Sequence, residues 1–443
     1  MNLHDTKAIK SWGGIVREKH FKTSPYRQTD ISDVFNMARM KNMPLLAHGM
    51  GRSYGDSCLN PNNIIVDMLG LDRFIVFNRE TGILRAEAGV SLDEIMRVIV
   101  PHGWFVPTTP GTKFVTLGGA IANDVHGKNH HSAGSFGNHV KSLGLERSDQ
   151  GHIEIGPDTD RDLFSATVGG LGLTGLIKWV EIQLVKIRSA FIKQTSVPFK
   201  SVNDFFKIVK EIGHEYEHTV AWIDCTSKGK NLGRGIFTGG NWGTDENYIT
   251  HDGPKIKLPI YPPNFTLNKF TLRAFNKFYN MQQTLKPRNE FVPYWSHFHP
   301  LDSIHHWNRF YGRKGFYQYQ SVIPLDNAEA VTRDMLKIIQ KSGQGSMLAV
   351  LKTMGNIPSR GILSFPMPGV TLALDFQNKG TKTLKLMSDL DEIILQAKGR
   401  LYPAKDGRMS HKLFRTSYPH WKKVEKLKDP MISSHFWRRV SVS

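Results

Sequence analysis

"GMGRSYGD", residues 49–56, follows an apolar run, Pro44-Leu45-Leu46-Ala47, that reads as a strand. A strand running into a glycine loop suggests a dinucleotide-binding turn. Two details exclude the doubly wound form. Gly55 stands one residue too late for G-x-G-x-x-G, and the following "DSCLNPNN" holds turn formers and a proline where that motif needs a helix. Downstream, "NNIIVDM" reads as a buried strand and "RFIVFNRETGILRAEAG" as two strands about a turn at Thr81-Gly82. "SLDEIMRVIVPHG" reads as an amphipathic helix with Ser91 and Glu94 as a capping box, stopped by Pro101 and Gly103. Strand, hairpin, helix is α+β order rather than β-α-β alternation.

The character changes near Ser189. "SVNDFFKIVKEIG", "NAEAVTRDMLKIIQKSG" and "TKTLKLMSDLDEIILQAKG" have helical periodicity. "HTVAWIDC", "GRGIFTGG", "FYQYQSVIP", "SMLAVLKTMG" and "GVTLALDFQ" read as strands of a second sheet-and-helix domain. A basic, proline-interrupted segment, 253–300, lies within it, and a basic helical tail follows Arg400. The expected division is 1–188, 189–399 and 400–443. A chain of 443 residues supports such an organisation.

The two cysteines, Cys58 and Cys225, match no zinc or redox spacing. No stretch approaches the roughly 20 apolar residues of a membrane span, and "MNLHDTKAIKSWGG" lacks the apolar core of a secretory signal. A cytoplasmic location is therefore expected. The net charge of +19 favours anionic partners. It is locally concentrated: Gly253 to Asn289 contains seven Lys or Arg and no Asp or Glu. Within it, Phe270, Phe275, Phe278 and Met281 alternate with Lys269, Arg273, Lys277 and Lys286. That composition suits either an interfacial helix against anionic lipid or an ordinary helix packing its aromatics on the second domain. Charge alone is the only feature favouring nucleic acid, which is not expected as a partner.

The densest chemical signal is "PTTPGTKFVTLGGAIANDVHGKNHHSAGSFGNH", residues 107–139. Its glycines would let backbone N–H groups cradle an anion, and with the first loop they suit the two phosphates of a dinucleotide. His126, His130, His131 and His139 invite a metal reading. The intervening Gly127-Lys128-Asn129 is poor for a helix and Lys128 adds a cation, so no metal is expected. Gln318 and Gln320 lie two apart in a strand and so share a face, where amides would suit a polyhydroxylated ring. An exposed strand face is the bland alternative.

These motifs, with "GGLGLTG", "VLKTMG", "LSFPMPG" and "GRLYPAKD", give the chain a strong resemblance to the vanillyl-alcohol-oxidase-type FAD-binding flavoproteins. Within them it is similar to the family that oxidises decaprenylphosphoryl-β-D-ribose at the 2′-hydroxyl. The resemblance implies a two-domain fold: an FAD-binding domain, a separate sheet-plus-helix substrate domain, and a C-terminal segment returning to the first. It implies FAD lined by His48, Gly49, Met50, Gly51, Arg52, Ser53, Tyr54, Gly55, Asp56, Ser57, Gly111, Thr116, Leu117, Gly118 and Gly119, and by Asn123, Asp124, Val125, His126, Ile177 and Tyr402. Arg52 stands where many superfamily members carry a flavin-linked histidine, so noncovalent FAD is expected.

As catalytic candidates the resemblance implies Lys405, Tyr54, Tyr402 and His126, with the base left open among neutral Lys405, a tyrosinate and a histidine. A cation near the flavin would stabilise its reduced form. Lys128, Gln318, Gln320, Lys352 and Lys405 are implied for the substrate, the first and fourth toward a phosphate. The family's cysteine ahead of the Asp-Phe pair is replaced by Ala373, and an asparagine two positions earlier by Thr371. Implied partners are a polyprenyl-phosphate sugar, a short-chain-dehydrogenase-type reductase that completes an epimerisation to an arabinose donor, quinone or oxygen as electron acceptor, and an anionic membrane face. A soluble FAD oxidase of free sugars, alditols or aldonolactones is the alternative activity.

Overall fold

The computed structural model describes residues 3–7, 9–251, 253 and 256–441. Three sheets organise it. In the first, His4–Thr6, His20–Thr23, Ile64–Asp67 and Leu45–His48 lie side by side in that order, the last three parallel. Ile64, Ile65 and Val66 are wholly buried, as expected of a parallel strand covered on both faces. The connection between Leu45–His48 and Ile64–Asp67 contains "GMGRSYGD" and no helix, so the loop departs from the doubly wound pattern as its sequence indicates.

The second sheet is antiparallel, in the order Phe74–Phe77, Ile83–Glu87, Leu176–Gln183, Val140–Arg147, Gly151–Ile155. Beside it, helix Leu92–Ile99 begins with the expected capping box: Ser91 N donates to Glu94 Oε2 (2.8 Å) and Glu94 N to Ser91 Oγ (3.2 Å). Its Leu92, Ile95, Met96 and Ile99 are buried, one face at helical spacing.

The third sheet has eight strands, in the order Asn289–Pro293, Phe191–Phe199, Gly235–Trp242, His218–Ile223, Val350–Met354, Gly369–Gln377, Phe316–Ile323, Arg400–Leu401. Alternation sorts its side chains. Tyr319, Leu351, Leu372, Leu374 and Phe376 join an apolar core with residues of helices Ala328–Ser342 and Thr381–Gln396. Gln318 and Gln320 pair with Asp375 and Ala373, and Lys352 pairs with Thr371. These residues therefore share the opposite face. No described helix is long and apolar enough to cross a membrane.

The chain end comes back to the first sheet: Leu45 N donates to Met431 O (2.9 Å) and Ser433 N to Leu45 O (3.1 Å). Helix His435–Ser441 then presents Arg439. Its guanidinium donates to Asp56 Oδ1 (2.7 Å), Asp56 Oδ2 (3.0 Å) and Asp406 Oδ2 (3.0 Å). Both carboxylates are buried. Removing the cation would strand two charges away from water, so Arg439→Ala is expected to cost about 3–5 kcal/mol in denaturant unfolding. Arg439→Lys should recover only part of it, because a lysine cannot reproduce the bidentate contact.

Candidate active site

The first glycine loop is held by two other segments. Tyr54 N donates to Ala404 O (2.9 Å), Trp12 N to Ser53 O (2.8 Å) and Gly13 N to Tyr54 O (3.2 Å). A Cβ on Gly55 would lie 1.5 Å from Asp406 O, so only glycine permits this approach. Gly51 has φ +63°, the left-handed region. A Cβ on Gly49 would sit 2.4 Å from Thr116 Oγ1, which shows how tightly the two glycine segments abut.

The segments contribute differently. Leu117 and Gly118 donate to Val90 O (2.7 Å) and Ala88 O (2.9 Å), and Gly119 to Thr116 Oγ1 (3.1 Å). Among the described residues, the N–H groups of Met50, Gly51, Arg52 and Ser53 donate to no protein acceptor. Consecutive free N–H groups form an anion-binding concavity, and a diphosphate fits that chemistry. The run of consecutive free donors lies in the first loop, whereas at Leu117, Gly118 and Gly119 the second segment spends its donors on close packing.

The remaining expected lining residues are placed as follows. His48 Nδ1 lies 2.9 Å from Cys58 O, and burial lowers its pKa. Arg52 donates to Met50 O (2.6 Å), its guanidinium 4.4 Å from the Trp12 ring. Asn123 donates to Gly119 O (2.8 Å). The Asp56 carboxylate is engaged by Arg439, and that of Asp124 by Gly137 N (2.8 Å), Ser135 Oγ (2.8 Å) and Ser364 Oγ (2.5 Å). Ser57, Val125 and Ile177 are buried, and Gly111 borders open space.

On the turn packed against this loop, Tyr402 stacks on Phe365 (4.7 Å) and donates to Asn123 O (2.8 Å). The His126 ring lies 5.4 Å from each of those aromatics, its Nε2 3.2 Å from Gln320 Nε2. Burial, then the charges of Lys352, His130 and Lys405, keep this imidazole neutral. With the Gln320 amide donating, His126 accepts at Nε2 and carries its proton on Nδ1, a buried atom without a partner. Such an orphan calls for a ligand.

Lys405 places Nζ 3.9 Å from the centre of the Tyr54 ring. Burial brings its pKa down to about 8, and the neighbouring Asp375 opposes that shift. Asp375 itself is pushed up to about 7, chiefly by burial. It accepts from Gln318 Nε2 (2.6 Å) and Tyr311 OH (3.4 Å). Asp375 is absent from the candidates drawn from sequence. Its only local signal is an acid inside the apolar strand "GVTLALDFQ", and its meaning comes from pairing with Gln318.

Lys352 is buried and Lys128 half-buried, and desolvation lowers the pKa of each to about 7. Lys128 Nζ donates to His297 O, and Lys352 Nζ to Gly127 O at 2.8 Å. Both ammonium groups thus rest on backbone carbonyls. His130, His131 and His139 part company, meeting Gly355 N, Tyr216 O and Ala133 O. Among the described residues no group of three or more His, Cys, Asp or Glu is placed to hold a metal.

Comparison with known proteins agrees with this geometry. The FAD binding domain family matches residues 23–155. Decaprenylphosphoryl-β-D-ribose oxidase of Mycolicibacterium smegmatis is 37% identical over 418 residues, 90% of this chain and 89% of that one. The chain belongs to the decaprenylphosphoryl-β-D-ribose oxidase family. An uncharacterized protein from the mprA 5′ region of Streptomyces coelicolor is 27% identical, covering 74% of this chain and 92% of its own. Mouse L-gulonolactone oxidase is 26% identical over 35% of each chain. The protein is accordingly an FAD-dependent oxidoreductase.

The Gly55–Asp406 contact supplies a test. Gly55→Ala must push the 402–407 turn away from the cradle, an overpacking cost of about 1–3 kcal/mol. FAD affinity, read from flavin absorbance per protein after dialysis against graded FAD, is expected to fall by about tenfold or more.

Proposed function

We propose that the protein oxidises the 2′-hydroxyl of a polyprenylphosphoryl-β-D-ribose to the 2′-keto sugar. The observation carrying this reading is the polar row on the inner face of the third sheet. Gln318, Gln320, Thr371 and Asp375 share that face, with Asp375 within electrostatic reach of Lys405 and Lys405 over the Tyr54 ring of the first glycine loop. Polar groups on a buried sheet face are costly unless they meet a polar ligand. Amides and a carboxylate, offering both donors and acceptors, match a polyol. The similarity to the mycobacterial oxidase over 90% of the chain supports the same substrate class.

FAD, when bound, supplies the two-electron acceptor for the carbon-bound hydrogen of a secondary alcohol. Loop 48–57 would hold its diphosphate noncovalently, with Tyr402, His126 and Tyr54 about the ring. The chain's own task is then the hydroxyl proton. Lys405 and Asp375, next to one another, both have environments that set them near neutral pH, a condition for efficient general-base work. Neutral Lys405 accepts the proton, and Asp375, fixed by Gln318, holds the resulting ammonium in place. His126, kept neutral, offers its Nδ1 hydrogen to an oxygen in the site. The buried tyrosines are poor bases, because burial raises the pKa values of Tyr54 and Tyr402 far above the ordinary range.

The 2′-keto product retains its phosphoryl-prenyl group and is suited to reduction from the opposite face. A short-chain-dehydrogenase-type reductase would thereby complete an epimerisation toward an arabinan precursor, with quinone or oxygen reoxidising the flavin. Such a lipid is met at a bilayer, and helix Lys269–Thr284 is built for that encounter. Leu272 and Asn276 face inward, Asn276 donating to Asp224 Oδ1 (3.1 Å) and Ser346 O (3.2 Å). Phe270, Phe278 and Met281 are more than half exposed among the lysines of the basic segment. This outward face supports peripheral docking to an anionic membrane.

Anaerobic addition of a short-chain prenylphosphoryl ribose is expected to bleach the flavin, and a spectrum that does not change would overturn the proposed oxidation. Lys405→Ala should stay yellow while bleaching about 10²–10⁴-fold more slowly. The rate should rise with pH through about 8 as Lys405 loses its proton. Asp375→Asn removes the charge that raises the Lys405 pKa, so its rising limb should move to lower pH.

At the membrane, burying each aromatic contributes about 1.5–3 kcal/mol. Phe270→Ser/Phe278→Ser should therefore lower cosedimentation with phosphatidylglycerol vesicles at least about tenfold while keeping FAD. Equal sedimentation of both proteins would sink the docking role of this helix.

A further inference from the structure

The segment above the polar row has an inward and an outward side. Inward, Trp307 packs on Trp12 (5.6 Å) and Phe316 (6.0 Å), in one cluster with Tyr54. Tyr311 stacks on Phe316 (4.2 Å) and reaches Asp375. This side roofs the site just described. Outward, the same few residues carry His305, His306 and Arg309. A short parallel ribbon, Ile256–Lys257 with Ile304–His305, sets Lys257 directly opposite His305. The His305 and His306 rings are 3.8 Å apart. His306 holds φ +59°, a left-handed conformation costly for a side chain of this size. Arg309 Nη1 is anchored on Leu258 O and Pro259 O, both at 2.9 Å, which fixes the guanidinium at the rim.

The electrostatics of this cluster are one-sided. Besides burial, the described groups acting on His305 are Lys257, Arg52 and Arg309; His306 feels these and His305. All lower the histidine pKa values. The nearby acid, Asp302, receives Lys113 N at 2.8 Å and is drawn toward Lys113 and Arg52. A strained backbone that keeps two imidazoles together among cations, with no described carboxylate acting on either, opposes its own charge. An anion would relieve that opposition.

We propose that Lys257, His305, His306 and Arg309 form the receptor for the phosphodiester of the lipid-linked sugar, at the rim over Trp307 and Tyr311. The inference rests on the substrate reading given above and adds a subsite to it. The sugar lies inside against Gln318 and Gln320, the phosphate crosses the roof, and the prenyl chain leaves outward. Phosphate binding favours protonation of His305 and His306, so affinity should weaken as pH rises through their titration. The same chemistry would suit a phospholipid headgroup, and the test separates the two.

The holoenzyme is titrated calorimetrically with farnesylphosphoryl-β-D-ribose and with the unphosphorylated farnesyl riboside. His305→Gln/His306→Gln and Lys257→Gln should each weaken the phosphorylated ligand about tenfold or more, leaving the riboside affinity and flavin content unchanged. The affinity of the parent protein for the phosphorylated ligand should also fall between pH 5.5 and 8, and that slope should flatten in the double variant. Unchanged affinity in the variants overturns the subsite. So does a loss confined to phosphatidylglycerol vesicles, which would assign the cluster to membrane headgroups. Variant-sensitive binding without flavin bleaching would instead count against the oxidation reading and leave the subsite standing.

Discussion

Asp56 and Asp406 are both buried and lie 350 positions apart in the chain, yet one guanidinium, that of Arg439, neutralises them together. Everything at the site depends on this three-way contact. Asp56 ends the glycine loop with the free N–H groups, and Asp406 ends the turn that carries Tyr402 and Lys405. Their mutual approach brings Asp406 O against Gly55, a distance no side chain allows. The last helix therefore works as a clamp on two functional loops. Its ion pairs offset the cost of burying carboxylates, and in return the glycine loop and the turn bearing Lys405 belong to one frame.

That frame explains why the third sheet can tolerate a polar face. Five polar residues of three adjacent strands, Gln318, Gln320, Thr371, Asp375 and Lys352, share a side with Ala373 and are flanked there by apolar Phe316, Val322, Val350 and Met354. The opposite side, with Leu351, Leu372, Leu374 and Phe376, carries the core. The sheet thus has a stabilising surface and a chemical one, and strand alternation lets a single sequence run serve both. Lys128 and Lys352 show the cost of the arrangement. Each ammonium rests on a carbonyl and, among the described residues, has no carboxylate partner, so desolvation lowers their pKa values toward neutrality.

The legible parts of the molecule were those whose physics is local. The capping box of Ser91 and Glu94, the missing helix after "GMGRSYGD" and the shared face of Gln318 and Gln320 all follow from residues a few positions apart. The family motifs added the cofactor. Asp375 and Arg439 stayed hidden because their roles arise from cross-strand register and from the chain's return to the first sheet, separations of 57 and 383 residues. The second glycine cluster illustrates the converse. Gly118 and Gly119 look like N–H donors in sequence, but the fold consumes those donors on Ala88 and Thr116. Glycine content reports close approach; which group approaches is decided by tertiary structure.

The divided chemistry of the roof segment follows from the same constraint. A site that must exclude water around a sugar yet admit a lipid phosphate cannot be uniformly apolar or uniformly charged. Trp307 and Tyr311 supply the dry inner surface, and Tyr311 ties it to Asp375. His305, His306 and Arg309, interleaved with them, face the side from which an amphiphile must arrive. The basic aromatic helix Lys269–Thr284 presents a second cationic surface. A substrate carrying polyol, phosphate and hydrocarbon in series would meet amides, cations and exposed aromatics in the same order.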